Sequence, residues 1–168
     1  MPVVSGSSGR AIAESLAPLL DMEHLELISR RFPDGEGYVR VPSESIQSIR
    51  SEPVVLVSNT YPDSGVLETI LVLEAISSVR AGELSNYKGL EPQSLPDVGS
   101  EIYLAIPYFG YSRQDKRFSP GEAISARVIG DMLARCCDGI AILDLHAPAI
   151  LEDLSVPVEF VSAMPEIA

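Results

Sequence analysis

The chain has 168 residues, 46% of them hydrophobic, and a formal net charge of −12. That length suits one domain with a proper core, and the negative balance argues against general binding to nucleic acid or to acidic membranes. No apolar run approaches the ~20 residues needed to span a bilayer, and the opening MPVVSGSSG lacks the basic and apolar segments of a signal peptide, so a cytoplasmic location is expected.

In chain order, Val3 and Val4 begin a short strand, and Ser5-Gly6-Ser7-Ser8-Gly9 leads into a helix over Ala11 to Leu20, with Ile12, Leu16, Leu19 and Leu20 at helical spacing. The serines are candidate N-caps. A glycine-serine loop entering a helix can cradle phosphate, but any tight strand-to-helix turn has the same composition, and no Walker lysine follows. Leu25 to Ile28 and Tyr38 to Val41 read as strands flanking Arg30-Arg31-Phe32-Pro33-Asp34-Gly35-Glu36-Gly37. Proline presets φ, aspartate caps and glycine accepts positive φ, so this is a hairpin tip. Phe32 beside two arginines and two carboxylates is more than a hairpin needs, because an aromatic face can stack on a flat base.

Val54 to Val57 is a β-branched and leucine run of the kind buried on both faces of a sheet. Asn59 to Ser64 turns, with Pro62, Asp63 and Ser64 as helix-start signals, and Val66 to Val79 follows as a helix. Residues 82–100 break all periodicity and read as a surface insertion. Ile102 to Ile106 is another buried strand, a helix runs from near Ala123 to about Arg135, and Ile140 to Leu143 and Val158 to Val161 complete the strands. The adjacent Cys136 and Cys137 have no second cluster for metal and read as reduced packing residues. Alternating strands and helices predict an α/β three-layer sandwich with a mostly parallel sheet and a projecting β-hairpin.

The chemistry gathers in Pro107 to Glu122, PYFGYSRQDKRFSPGE. Of twelve lysines and arginines, Arg113, Lys116, Arg117 and Arg127 fall within fifteen residues. An acidic chain that concentrates positive charge after a buried strand is suited to a small anion there. His146, in Asp144-Leu145-His146-Ala147-Pro148, follows the next strand and lies at the same edge. The bland alternatives are a solvated loop with ordinary salt bridges and a loop histidine.

PYFGYSRQDKRF, followed by GEAISARVIGDML and DLHAP, resembles the ribose-phosphate pyrophosphokinases, the phosphoribosyl pyrophosphate synthetases. RFPDGEGYVRV and SGSSG stand at matching places. The resemblance implies transfer of a diphosphoryl group from Mg-ATP to ribose 5-phosphate, giving AMP and phosphoribosyl pyrophosphate. It assigns Arg113 and Gln114 to ATP, with Asp115 and Lys116 extending that motif, and His146 to Mg²⁺, although nitrogen is an unusual ligand for so hard a cation. Phe32, Asp34, Gly35 and Glu36 would meet adenine in a neighbouring subunit's site, implying a homo-oligomer. Residues 1–168 resemble only the amino-terminal domain: the ribose-phosphate loop and the mobile catalytic loop, where the catalytic residues are expected, have no match. The isolated chain is therefore expected to turn over little. The alternative is a non-catalytic nucleotide-binding or regulatory module that assembles with a full-length synthetase; a phosphoribosyltransferase would also need the missing acidic loop.

Overall fold

The computed structural model describes residues 1–82 and 101–167. Six strands form one sheet in the order β2-β1-β5-β6-β7-β8. They are β1 (Val3–Ser5), β2 (His24–Glu26), β5 (Val54–Val57), β6 (Ile102–Ile106), β7 (Gly139–Leu143) and β8 (Val158–Val161). Every pairing in this sheet is parallel. The strands β3 (Ile28–Arg31) and β4 (Gly37–Arg40) pair antiparallel as a separate hairpin. The expected three-layer architecture and its hairpin are both present.

The direction of travel across the sheet decides which face each helix covers. The step from β1 to β2 runs one way, and the steps β5 to β6 to β7 to β8 run the other. Right-handed crossovers therefore place α1 (Arg10–Leu19) on one face and α3 (Asp63–Ala81) and α4 (Ser125–Ala134) on the other. Side-chain alternation agrees. Val3 and Val57 pack with Ala13 and Ala17 of α1, whereas Val4, Leu56, Leu104, Ile106 and Ile142 pack with Val72, Leu73, Ile76, Ala126 and Leu133. On the α1 face no described element covers β6 to β8. Tyr103, Ala141 and Glu159 there line a groove of about 540 Å³ with Glu101 and Asp138 at its rim.

Four local expectations change. Leu25 to Ile28 is not one strand: the main-sheet strand ends at Glu26, Leu27 drops fully into the core while its N–H bonds the Ser5 carbonyl at 2.8 Å, and the hairpin begins at Ile28. No serine caps α1; Gly9 occupies the N-cap without a side-chain bond. The packing explains this, because a Cβ at Gly9 would lie 1.9 Å from the Val57 carbonyl oxygen. A 3-10 turn (Ser43–Ser45) runs into a short α2 (Ile46–Ser51) that the polar sequence did not announce. Its Arg50 is buried and donates to the Val79 carbonyl at 3.1 Å, while Arg80 donates to Ile49 at 3.0 Å, so each guanidinium serves the carbonyl end of the other helix. The hairpin, finally, leans back: β4 lies along α3. The insertion read at 82–100 falls, beyond Gly82, outside the described residues.

Cys136 and Cys137 are free thiols. Burial pushes the Cys137 thiol up to about 11, consistent with a packing role.

Candidate functional site

In a sheet of this order the crevice opens between β1 and β5, where the chain reverses its direction of travel. Here that crevice is zipped by the protein's own side chains. Ser7 gives both its N–H (2.6 Å) and its hydroxyl (2.8 Å) to the Glu68 carboxylate. Asn59 Nδ2 donates to the Ser8 carbonyl at 2.7 Å, and the Ser8 and Ser58 hydroxyls meet at 3.0 Å. The SGSSG loop thus gives the Ser7 N–H and hydroxyl to an internal carboxylate.

The next carboxyl-end loop, after β6, is built differently. Phe109 is 3% exposed and anchors it in the core. Asn59 Oδ1 accepts the Tyr108 N–H at 2.9 Å, and the Thr60 hydroxyl accepts the Gly110 N–H at 2.7 Å. The Tyr111 hydroxyl donates to Asp63, which holds the phenol above its usual range. Tyr111 itself has φ +65, a conformation rare for a bulky residue. The far side is folded by Glu122, whose Oε2 accepts the N–H groups of Phe118 (2.6 Å) and Ser119 (3.0 Å). These bonds hold its carboxyl below the usual range.

Between these two anchorages lie the expected ligand residues. Arg113 and Lys116 are exposed, and Gln114 and Asp115 are half-buried. Among the described residues no hydrogen bond, ion pair or ring contact engages Arg113, Asp115 or His146. Gln114 Nε2 donates to the Lys116 carbonyl at 3.2 Å, and the Lys116 ammonium sits 5.3 Å from the Phe118 ring centre. Arg117 Nε donates to the Glu122 carbonyl at 2.9 Å. Arg127 does not belong to the cluster: it lies on α4, paired with Asp131 at 3.1 Å and directed to the carbonyls of Ile150 and Asp153. The loop therefore presents a free guanidinium and an ammonium on a fixed frame, a donor set suited to phosphate oxygens, while the Gln114 amide donates within the loop to the Lys116 carbonyl and the Glu122 carboxylate.

The hairpin tip is a tight turn. Phe32 N–H bonds the Glu36 carbonyl at 2.8 Å, Gly35 has φ +94, and Asp34 Oδ1 accepts the Glu36 N–H at 3.0 Å. Phe32 is half-exposed and packs edge-on against Tyr38 at 5.6 Å, with Arg30 lying over Tyr38. Asp34, Gly35 and Glu36 line a groove of about 500 Å³ with Ser7, Ser64 and Leu67 of the same chain. No described contact joins residues 32–36 to 113–116.

His146 is exposed beyond β7. Asp144, with φ +45, turns its carboxylate to the Ser162 hydroxyl at 2.8 Å and to the Ala163 N–H at 3.2 Å. Among the described residues no group of three His, Cys, Asp or Glu could hold a metal ion. One imidazole does not make a site for magnesium, which favours six oxygens. No described helix is long and apolar enough to cross a membrane.

Residues 98–136, which span this loop, match the N-terminal domain of ribose phosphate pyrophosphokinase. The ribose-phosphate pyrophosphokinase of Methanothermobacter thermautotrophicus is 36% identical over 99% of this chain and 51% of its own length. That of Methanopyrus kandleri is 34% identical over 99% of this chain and 50% of its own. In fold, phosphoribosylpyrophosphate synthetase from Mycobacterium smegmatis superimposes with a TM-score of 0.74 at 22% identity, over 99% of this chain and 49% of that one. The chain thus spans about half the length of the curated relatives it matches. Along 99% of its length it is similar to one half of a ribose-phosphate pyrophosphokinase.

Proposed function

We propose that the chain is the ATP-binding half of a ribose-phosphate diphosphokinase, the enzyme that converts ATP and ribose 5-phosphate to AMP and phosphoribosyl pyrophosphate. The observation that carries this reading is the free Arg113 guanidinium. It stands with Gln114 and Lys116 on a loop clamped at both ends, at the carboxyl edge of a chain with net charge −12. Phosphoryl transfer is mostly positioning plus charge neutralisation. Arg113 would clamp phosphate oxygens bidentately, Lys116 would add a mobile positive charge, and Gln114 would donate through its amide. Asp115 extends the motif.

In this reading residues 1–168 are one α/β domain corresponding to the amino-terminal half, and the ribose 5-phosphate site and catalytic residues lie mostly elsewhere. Magnesium enters as the nucleotide's counter-ion, with His146 the single residue offered to it; no step is assigned through the metal. Phe32, Asp34, Gly35 and Glu36 would serve the adenine of a neighbouring subunit, in a homo-oligomer in the cytoplasm. The second reading is a non-catalytic nucleotide-binding or regulatory module that assembles with a full-length synthetase.

Titration calorimetry with ADP tests the common core of both readings. Arg113→Ala should weaken binding by at least ~1.5 kcal/mol, the scale of a charged hydrogen bond. Equal affinity for variant and parent would remove the proposal.

A further inference from the structure

An all-parallel sheet carries helices on both faces, because its connections lay them there. In this sheet α3 and α4 pack on one face, and α1 lies on the other over β1, β2 and β5. Two strand spacings of about 4.8 Å equal the ~8–10 Å between packed helices, so a helix laid beside α1 would cover β6 and β7. The surface of those strands is low. Ala105 pairs with Ala141 and Tyr103 with Gly139, and a Cβ at Gly139 would stand 3.1 Å from the Tyr103 ring. That ring leans across the glycine and gives its hydroxyl to Glu101 at 2.7 Å.

The groove over these strands is continuous with α1. Val55 and Ala105 line it, and both also pack, with Leu16, against the cluster beneath α1. Arg10 pairs with Glu26 on β2, so its flank of α1 looks to the outer edge of the sheet. At about 100° per residue, Ile12 and Leu19 fall roughly opposite Arg10, on the flank above β5 and β6. They are 42% and 83% exposed, so α1 carries more apolar surface than the sheet beneath it takes up. Because α1 runs back toward the amino ends of the strands, Leu19 stands at the end where Tyr103 and Gly139 lie.

Charge selects what can fill this groove. Glu101, Asp138 and Glu159 line it, and no lysine or arginine does. Glu159 has no hydrogen-bond or ionic partner among the described residues. A second copy would bring the same carboxylates with it, and a wholly apolar partner would leave them desolvated. We infer that the face of β6 to β8 and the open flank of α1 form a docking slot for one amphipathic helix of a partner polypeptide. That helix is apolar along one stripe and carries lysine or arginine along the edge that meets the three carboxylates. The slot lies toward the amino ends of the strands, away from the carboxyl-edge loops of Arg113 and His146, and it is independent of the nucleotide reading.

The probe is a synthetic peptide of about 18 residues, five turns of helix, with a stripe of leucine and alanine flanked by lysines. Its counterpart carries glutamate in place of every lysine. In dilute buffer the chain should bind the lysine peptide by calorimetry, with a gain in helical circular dichroism, and should not bind the glutamate peptide. Leu19→Ser removes an apolar contact and should weaken binding about ten-fold at every salt concentration. Glu159→Lys should weaken it about ten-fold near 0.01 M salt and much less near 1 M. Both positions are exposed, and unfolding midpoints equal to the parent's establish that the variants keep the fold. Binding that ignores Leu19→Ser and vanishes with salt is mere adsorption to an acidic chain, and it overturns the slot. No binding, or equal binding of the two peptides, overturns it as well. Dimerisation of the chain in dilute buffer, read by sedimentation and abolished by Leu19→Ser, would overturn it in favour of a second copy.

Discussion

Gly110 lies against Thr60 so closely that a Cβ would stand 2.2 Å from the Thr60 carbonyl oxygen, while its N–H bonds the Thr60 hydroxyl at 2.7 Å. The obstacle is backbone, which cannot swing aside as a side chain can. Gly110→Ala should therefore destabilise the chain by about 2 kcal/mol or more and weaken ADP binding beyond what the lost stability explains. Urea unfolding and calorimetry on the same sample check both. An unchanged midpoint would mean that the loop is not anchored there.

Glu122 gives the loop a pH dependence of definite sign. Its carboxyl is held below the usual range by the Phe118 and Ser119 N–H groups, then by Gln114. A depressed carboxylate contributes order that is fully present above its unfolded value, about 4.3, and is lost as pH falls through the lower folded value. Hydrogen exchange should show the Phe118 amide protected at neutral pH and progressively less so below about pH 4. In Glu122→Gln the neutral amide is a weaker acceptor with no proton to gain. Protection should be lower at neutral pH and flat across the acid range, and a profile matching the parent's would remove Glu122 from this role.

The two cysteines should separate chemically. With its thiol pushed up to about 11 by burial, Cys137 presents almost no thiolate at pH 8. A small alkylating reagent should modify Cys136 first, and Cys137 only as pH approaches its raised value or as the chain unfolds. Mass spectrometry of the peptide carrying both residues reads the order, and equal rates at pH 8 would contradict the buried assignment.

The hairpin poses a question of reach. Phe32 and Arg113 share no contact within one chain, and the proposed site calls for both. Phe32→Ala should lower ADP affinity about ten-fold, the scale of base stacking on an aromatic ring, without unfolding the protein. Mixing the Phe32→Ala chain with an Arg113→Ala chain should restore part of the binding, because one cleft in each mixed dimer then receives both intact elements. Absence of recovery, in a mixture shown to exchange subunits, would place the hairpin's function within its own chain.

The strands over 54–57, 102–106 and 140–143 were readable as unbroken apolar runs, whereas 158–161, with Glu159 facing the open groove, was readable from its alternating pattern. Leu25 to Ile28 was misread because periodicity cannot register that a chain turns at Leu27 to leave one sheet for another. The serines before α1 carried the right chemistry for capping, but Gly9 was placed by its approach to Val57, a contact remote in sequence. Arg127 was counted with the anion-binding residues from its spacing alone, and only the fold shows it committed to α4 and the segment after β7. Asn59, Thr60 and Tyr61 were legible as a turn and nothing more. Their partners lie about fifty positions further on, and no local pattern encodes that distance. The arginine, glutamine and lysine of the β6–α4 loop were legible because charge density needs no fold to be noticed.

The groove over β6 to β8 on the α1 face, which no described element covers, bears on how copies of this chain meet. Its lining is mostly apolar, and the charged residues in it, Glu101, Asp138 and Glu159, are all acidic. Two such faces brought together would set like charges against one another across a surface that otherwise favours contact. Coulombic repulsion between rims reaches about 30 Å at 0.01 M salt and about 3 Å at 1 M. Ionic strength therefore works as a gate on self-association: dilute buffer keeps these faces apart, and concentrated salt, by collapsing the ion atmosphere, lets the bare strands find cover.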